Sequence, residues 1–201
     1  MKSIREIQPY PNFIWPLLLF CLLWLFLLAK QSHAQQVSEQ PVPAHLDTAI
    51  SYFGYHDLPG KNNQGEHIDR WLASVGLPTG NPYCAAFVSY CLDAGNVNRP
   101  RVRSGLSSHF IKDNSISAKH VVQGRKQIPP GYIAVWRRGN TQFGHVGFVL
   151  LSWRGATGIT IEGNTTTGTG GNEFNGSGVW IRERTIYPLN HFRITHFTPV
   201  N

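Results

Sequence analysis

Cysteine is scarce in this chain, with only Cys21, Cys84 and Cys91 among 201 residues. Cys84 and Cys91 fall in one stretch that is predicted to be helical, where a rise of about 1.5 Å per residue places them roughly 10 Å apart. A disulfide needs Cα atoms within about 7 Å, which excludes a bond between these two. If both stay unpaired in an oxidising compartment, at least one is expected to be kept for its reactivity.

Dense runs of lysine or arginine are also absent, although the chain as a whole is basic. It has 18 Lys and Arg against 11 Asp and Glu, which gives a formal net charge of +7. Such a balance favours anionic partners: nucleic acid, anionic lipid or anionic cell-wall polymer. Without a concentrated basic run nucleic acid is not favoured, and we expect no nucleic-acid partner.

A long apolar run is present at the N-terminus, where residues 13–29 are nearly all apolar. Lys2 and Arg5 precede it, and Ser32–Ala34 offers a small-residue cleavage pattern before Gln35. This arrangement is typical of a secretory signal. The alternative is an uncleaved membrane anchor, because the run is close to the minimum of about 17 residues that spans a bilayer.

The remaining chain shows no internal repeat, and its length suits one domain. We therefore predict a signal peptide or anchor over 1–34, a polar linker over 35–44, and a single domain over 45–201 that is secreted or periplasmic and monomeric.

Helical patterns cover 46–53, 66–75, 82–94 and 104–110, and strand patterns cover 132–136, 145–153, 159–164, 179–184 and 192–197. Helices followed by consecutive strands predict an α+β fold, with the helices packed on an antiparallel sheet or partial barrel.

Cys84 is the candidate nucleophile because of its place in the predicted helix. Asn81 suits the N-cap and Pro82 the first helical position, and Gly95 suits a left-handed residue just past the end. In the first turn, the partial positive charge of the helix and its outward N–H groups stabilise a thiolate. The alternative for Cys84 is a buried structural cysteine. Cys91 is mid-helix and is predicted to serve packing alone.

A cysteine nucleophile needs a base, and the base needs a group that orients it. His145 is the candidate base because it opens a strand, directly after Gly144, and so projects from a rigid element. Glu162 and Asn164 end a later strand and share a face there, which makes both candidate acceptors for the imidazole N–H. The alternatives are that His145 only ends a strand and that Glu162 is an exposed carboxylate.

Four segments, taken in order, resemble the motifs of the CHAP domain family, named for cysteine, histidine-dependent amidohydrolase/peptidase. They are NPYCAAFVS at 81–89, PGYIAVW at 130–136, GHVGFV at 144–149 and IEGNT at 161–165. The resemblance covers roughly 46–197. It implies a papain-like α+β fold and hydrolysis of amide bonds in bacterial peptidoglycan.

The resemblance also assigns roles: Cys84 as nucleophile, His145 as base, and Glu162 and Asn164 as polar partners. Two positions depart from the family pattern. Tyr83 stands where Trp is frequent, and Tyr132 stands where the strand usually starts with an acidic residue. Neither change removes a catalytic group.

The predicted activity is that of a cysteine hydrolase of peptidoglycan, either an amidase that cuts the sugar–peptide link or an endopeptidase. The alternative is a non-catalytic wall-binding protein on the same fold.

We expect no cofactor and no metal. Some bacteriophage members of the family bind calcium through a loop, and a loop here offers oxygens from Asn62, Asn63, Glu66 and Asp69. Calcium sites usually take more carboxylates than this loop supplies. Zinc held by Cys84, Cys91 and a histidine fits no common spacing.

Overall fold

Four α-helices and six β-strands form in the part of the chain that the computed structural model of the protein describes, residues 41–167, 176–186 and 192–201. The predicted signal or anchor and most of the predicted linker lie outside these residues, and so does Cys21. Within the described ranges no helix is long and apolar enough to cross a membrane.

The helices come first and most of the strands follow, as the patterns predict. The helices are α1 (Ala44–Ser51), α2 (Glu66–Ser74), α3 (Cys84–Ala94) and α4 (Ala118–Val122), with a 3₁₀ helix at Ser107–Phe110. The strands are β1 (Ile116–Ser117), β2 (Ile133–Arg138), β3 (Gly144–Val149), β4 (Thr157–Thr165), β5 (Gly178–Thr185) and β6 (Phe192–Thr198).

The six strands form one sheet in the order β1-β6-β2-β3-β4-β5, and every neighbouring pair is antiparallel. The predicted α+β class with an antiparallel sheet is therefore confirmed. In this order the neighbouring strands β3 and β4 carry the candidate base and its candidate acceptors. Their register is short: Phe148 pairs with Ile161 and Val149 with Thr160.

Apolar side chains are buried on both faces of the sheet, because successive strand residues point to opposite sides. Ile133 and Val135 of β2 face the helices α1–α3, while Ala134 and Trp136 belong to a second cluster that includes α4. Trp71, Phe87, Phe148 and Ile161 are among the fully buried members of the first cluster. The first cluster fixes α3, and with it Cys84, against the sheet.

Both predicted ends of α3 differ from the structure. The helix begins at Cys84 with Tyr83 before it, while the Asn81 side chain donates a 3.0 Å hydrogen bond to the Pro78 carbonyl instead of capping. Gly95 is not left-handed, since its φ is −80°. It is glycine for a different reason: a Cβ there would lie 2.6 Å from the backbone nitrogen of His45 in α1.

Smaller differences concern short elements. The strand predicted over 145–153 ends at Val149, and the helix predicted over 104–110 is only the 3₁₀ turn Ser107–Phe110. β1 and α4 were not predicted, because elements of 2 and 5 residues are too short to show a period.

Candidate active site

Cys84 is the first residue of α3 and keeps 7% of its surface exposed. The helix approaches β4 closely at Gly163, where a Cβ would lie 2.8 Å from the ring of Phe87. This glycine therefore lets the start of α3 settle beside the strand that carries Glu162. Cys84 keeps a small opening to solvent while the rest of its helix face is buried.

His145 and Glu162 are joined by a direct hydrogen bond between neighbouring strands. The distance from Nε2 of His145 to Oε2 of Glu162 is 2.8 Å, and both side chains are fully buried. Gly147 leaves the room that this contact needs, since a Cβ there would lie 2.6 Å from Cγ of Glu162. Gly147 and Gly163 thus each have a separate steric reason to be glycine.

The other side of the His145 ring meets Cys84. Because Nε2 is taken by Glu162, Nδ1 is the nitrogen that faces the thiol. Burial alone would lower the pKa of His145, but the hydrogen bond and charge of Cys84, and then those of Glu162, outweigh it and raise the pKa to about 10. The imidazole is therefore protonated at neutral pH, and an imidazolium stabilises a neighbouring thiolate.

Glu162 accepts four hydrogen bonds, so both of its oxygens are satisfied. Oε2 accepts from His145 and from Nη2 of Arg184, while Oε1 accepts from Thr160 and, at 2.8 Å, from Nε of Arg184. Burial alone would raise the pKa of Glu162, but the hydrogen bonds from Arg184 and His145 hold it well below its ordinary value. The carboxylate is thus a fixed negative charge behind the imidazole.

Trp136 is in contact with both cations of this arrangement. Its ring lies edge-on to the His145 ring, with centroids 5.2 Å apart. The guanidinium carbon of Arg184 lies 5.7 Å from the centroid of the same indole. The candidate site therefore consists of four charged or ionisable groups, each in contact with the next: Cys84, His145, Glu162 and Arg184. The Trp136 indole packs beside the second and the fourth of them.

Residues 76–164 match the family model of the CHAP domain. This part of the chain is a CHAP domain. The matched segment contains Cys84, His145 and Glu162 and ends at Asn164, so Arg184 lies beyond it. No curated protein matches the chain significantly.

Among solved structures, the wild-type endolysin LysIME-EF1 is similar to this chain, with a TM-score of 0.48 and 15% sequence identity. The aligned region covers 80% of this chain and 65% of the endolysin, so the chain spans less than two thirds of that protein's length. At this level of likeness neither the fold nor the activity of the endolysin transfers to the CHAP domain described here.

Sequence reasoning missed Arg184, Thr160 and Trp136 as members of the site in the CHAP domain and the strand after it. Trp136 carries a signal, since it lies in the PGYIAVW segment, but its contact with His145 follows from the register that pairs the two residues. Arg184 stands in a continuous polar run at the end of β5, residues 182–185, which is typical of a solvated segment. Only the fold shows that its guanidinium turns inward, leaving 13% of its side chain exposed.

Asn164 does not reach His145. Its side chain is fully buried, and neither polar atom has a hydrogen-bond partner among the residues that the structure describes. The backbone there is left-handed, with a φ of 57°, and the β4–β5 register shifts between Glu162 and Thr165. Because this irregularity breaks the strand alternation, the expectation that both residues share the imidazole is not realised, and any role of Asn164 stays a prediction.

Cys91 lies in a different environment from Cys84, although both are free thiols of the same helix. It is fully buried, and burial raises its pKa well above the ordinary value. No histidine or other hydrogen-bonding side chain offsets this burial in the described surroundings, which fits a packing role in the CHAP domain.

The two carboxylates considered for calcium are engaged with protein groups. Asp69 accepts from Thr79, and the exposed Glu66 pairs with Arg70 at 3.3 Å. The side-chain N–H of Asn63 donates to the Gly80 carbonyl at 3.3 Å, while its Oδ1 is buried and has no hydrogen-bond partner among the described residues. Across residues 41–167, 176–186 and 192–201 no group of three or more His, Cys, Asp or Glu side chains is placed to hold a metal ion.

Proposed function

We propose that the protein is a cysteine hydrolase that cleaves amide bonds of bacterial peptidoglycan, as an N-acetylmuramoyl-L-alanine amidase or a peptidoglycan endopeptidase. The observation that carries the proposal is the buried His145, held between the Cys84 thiol on one side and the Glu162 carboxylate on the other. Membership of the CHAP family, named for this chemistry, supports the same reaction class.

In the proposed reaction the Cys84 thiolate attacks the carbonyl carbon of the amide and forms a C–S bond. His145, as imidazolium, gives its Nδ1 proton to the leaving amine nitrogen as the C–N bond breaks. The neutral imidazole then takes a proton from water, whose oxygen attacks the thioester. Release of the acid returns the thiolate and the imidazolium. Glu162 stays ionised throughout and holds the ring in one orientation.

The backbone N–H of Cys84 is the proposed donor to the oxyanion of the tetrahedral intermediate. As the first residue of α3, Cys84 has an N–H without an acceptor in a preceding helical turn. An N–H in this position points toward charge that develops beside the sulfur, where a preorganised donor lowers the barrier most.

Export belongs to the same proposal, because the substrate lies outside the cytoplasm. The apolar run 13–29 and the small residues before Gln35 carry it. N-terminal sequencing of the exported protein is expected to begin at or near Gln35. Recovery of an intact Met1 or Lys2 terminus in membranes would identify an anchor instead.

Digestion of purified peptidoglycan, followed by mass spectrometry of the products, tests the proposal. An amidase releases whole stem peptides from muramic acid, whereas an endopeptidase leaves new amino termini inside the peptides. Both products are expected to disappear in the Cys84→Ala variant. A folded wild-type protein that binds the wall tightly and releases no fragment would be a wall-binding protein.

A further inference from the structure

We propose that Arg184 is a positioning residue of this site, which holds the Glu162 carboxylate in the one orientation that lets it orient His145. The inference rests on the proposed function and extends it to a residue outside the segment that matches the CHAP family. Arg184 acts through Glu162 and does not touch the reacting atoms.

The contacts of Arg184 are those of a fork closed on a carboxylate. Nε donates to Oε1 of Glu162 at 2.8 Å, and Nη2 donates to Oε2, the same oxygen that accepts from His145. Nη2 also lies 3.2 Å from the hydroxyl of Thr165, on the same strand as Glu162. Two parallel N–H bonds fix both the position and the plane of a carboxylate, which a single donor does not.

Such a fork is needed because the last torsion of a glutamate side chain is soft. Rotation about a terminal sp³–sp² bond is broad and roughly two-fold, so burial alone leaves the carboxylate plane loosely defined. A turn of that plane would move Oε2 away from Nε2 of His145 and release the imidazole. The hydroxyl of Thr160 holds Oε1 as well, but it contributes no charge.

The indole of Trp136 supports the guanidinium from the side. It lies under Arg184 and edge-on to His145, so the arginine, the tryptophan and the histidine are packed as one unit. A lysine in place of Arg184 would keep the charge but lose the planar fork and most of this stacking. The geometry therefore requires arginine rather than any cation.

The charged groups that act on Glu162 come from two strands and, indirectly, from one helix. Arg184 of β5 and His145 of β3 both lower its pKa against the effect of burial. Cys84 of α3 acts through His145, and the β2 residue in contact, Trp136, is uncharged. Loss of the Arg184 charge is therefore expected to raise the pKa of Glu162, since a nearby opposite charge lowers a carboxyl pKa by about 1–3 units.

The experiment compares Arg184→Met and Arg184→Lys in the full chain, each alone and combined with Glu162→Gln. Arg193→Met is the matched control, because Arg193 is an exposed arginine on another strand. For each variant kcat, KM and the thermal midpoint are measured, and the Glu162 carboxyl is titrated by NMR after labelling of the glutamate carboxyl carbons. The titration needs no activity, so it tests Arg184 even if the proposed function fails.

Arg184→Met is expected to lower kcat by about 10- to 100-fold, as loss of partners that orient a functional ligand does, with little change in KM. On the Glu162→Gln background the same change is expected to cost less than about twofold, because residues that act as one unit are not additive. The pKa of Glu162 should rise in Arg184→Met and stay low in Arg184→Lys. The kcat of Arg184→Lys should fall between those of the wild type and Arg184→Met. The Arg193→Met control should match the wild type.

An additive loss on the Glu162→Gln background, or an unchanged kcat and titration in a folded Arg184→Met protein, would overturn the proposal. If Arg184→Met does not fold, Arg184→Lys decides. Positioning is supported if Arg184→Lys lowers kcat in the wild-type background but not in the Glu162→Gln background. A wild-type kcat in Arg184→Lys refutes it. Activity that survives Cys84→Ala would refute the proposed function instead, which keeps the two failures distinct.

Discussion

Cys84 and Cys91 stand on the same helix and are both buried free thiols, yet their surroundings differ in ways that predict different chemistry. Cys84 is at the first helical position, beside a protonated imidazole, and keeps 7% of its surface exposed. Cys91 is enclosed by apolar groups, and its pKa is raised by burial. Burial in apolar surroundings keeps a thiol inert, whereas a neighbouring cation and an opening to solvent are what a reactive cysteine needs.

The largest expected effect comes from removing each sulfur in turn. Cys84→Ala is expected to lower peptidoglycan hydrolysis by about 10⁴-fold or more, as loss of a nucleophile does. Cys91→Ala is expected to keep nearly full activity and to lose only about 1 kcal/mol of stability, because it removes a small apolar volume. Hydrolysis rates of both variants measure the loss of activity, and their thermal midpoints measure the loss of stability. Equal losses of activity in two folded variants would break the comparison.

The next effect sharpens the comparison by removing the partners of Cys84. His145→Ala is expected to lose nearly all activity, while Glu162→Gln loses about 10- to 100-fold, because the amide still offers an oxygen to the ring. Adding Glu162→Gln to His145→Ala should then cost little more. The rate of iodoacetamide alkylation of each cysteine gives a second reading: the preference for Cys84 should shrink most in His145→Ala. A fully active His145→Ala enzyme would refute the scheme.

The pH dependence gives a smaller effect of defined sign. The pKa of His145 is about 10 in the folded protein, above the ordinary 6.5, so its charged form stabilises the fold fully below about pH 6.5. That contribution is lost as the pH rises through about 10, and activity is expected to fall there too. In Glu162→Gln the falling limb should move to lower pH by about 1–3 units, since a stabilising charge is gone. A limb that does not move would show that Glu162 does not act on His145.

The smallest effect is expected two residues further along β4. Asn164→Ala removes a buried side chain that makes no hydrogen bond within the described part of the chain, so it should change the hydrolysis rate by less than about threefold, far less than Glu162→Gln. Parallel assays of the two variants make the test. A loss in Asn164→Ala as large as that in Glu162→Gln would mean that the amide meets the base during the reaction.

The contrast between Glu162 and Asn164 marks the limit of prediction from sequence. The positions of Cys84, His145 and Glu162 could be predicted because all three lie in regular elements, where period and helix polarity are readable. Asn164 lies within a shift of the β4–β5 register and is itself left-handed, so the alternation of side chains fails there. Arg184 could not be found, because a charged residue on an outer strand looks solvated until the register of β4 and β5 is known. Gly95 was assigned the right position for the wrong reason, since a contact with His45 in another helix decides it.

The separation of the two thiols along α3 also sets how the protein responds to oxidants. A cysteine that an oxidant converts to sulfenic acid can be protected by a disulfide with a second thiol, provided that this thiol is near enough. In the described part of the chain the other thiol is Cys91, which is about 10 Å away along a rigid helix and fully buried. Recovery of an oxidised Cys84 is therefore expected to come from small external thiols rather than from Cys91, and further oxidation would lead to sulfinic acid.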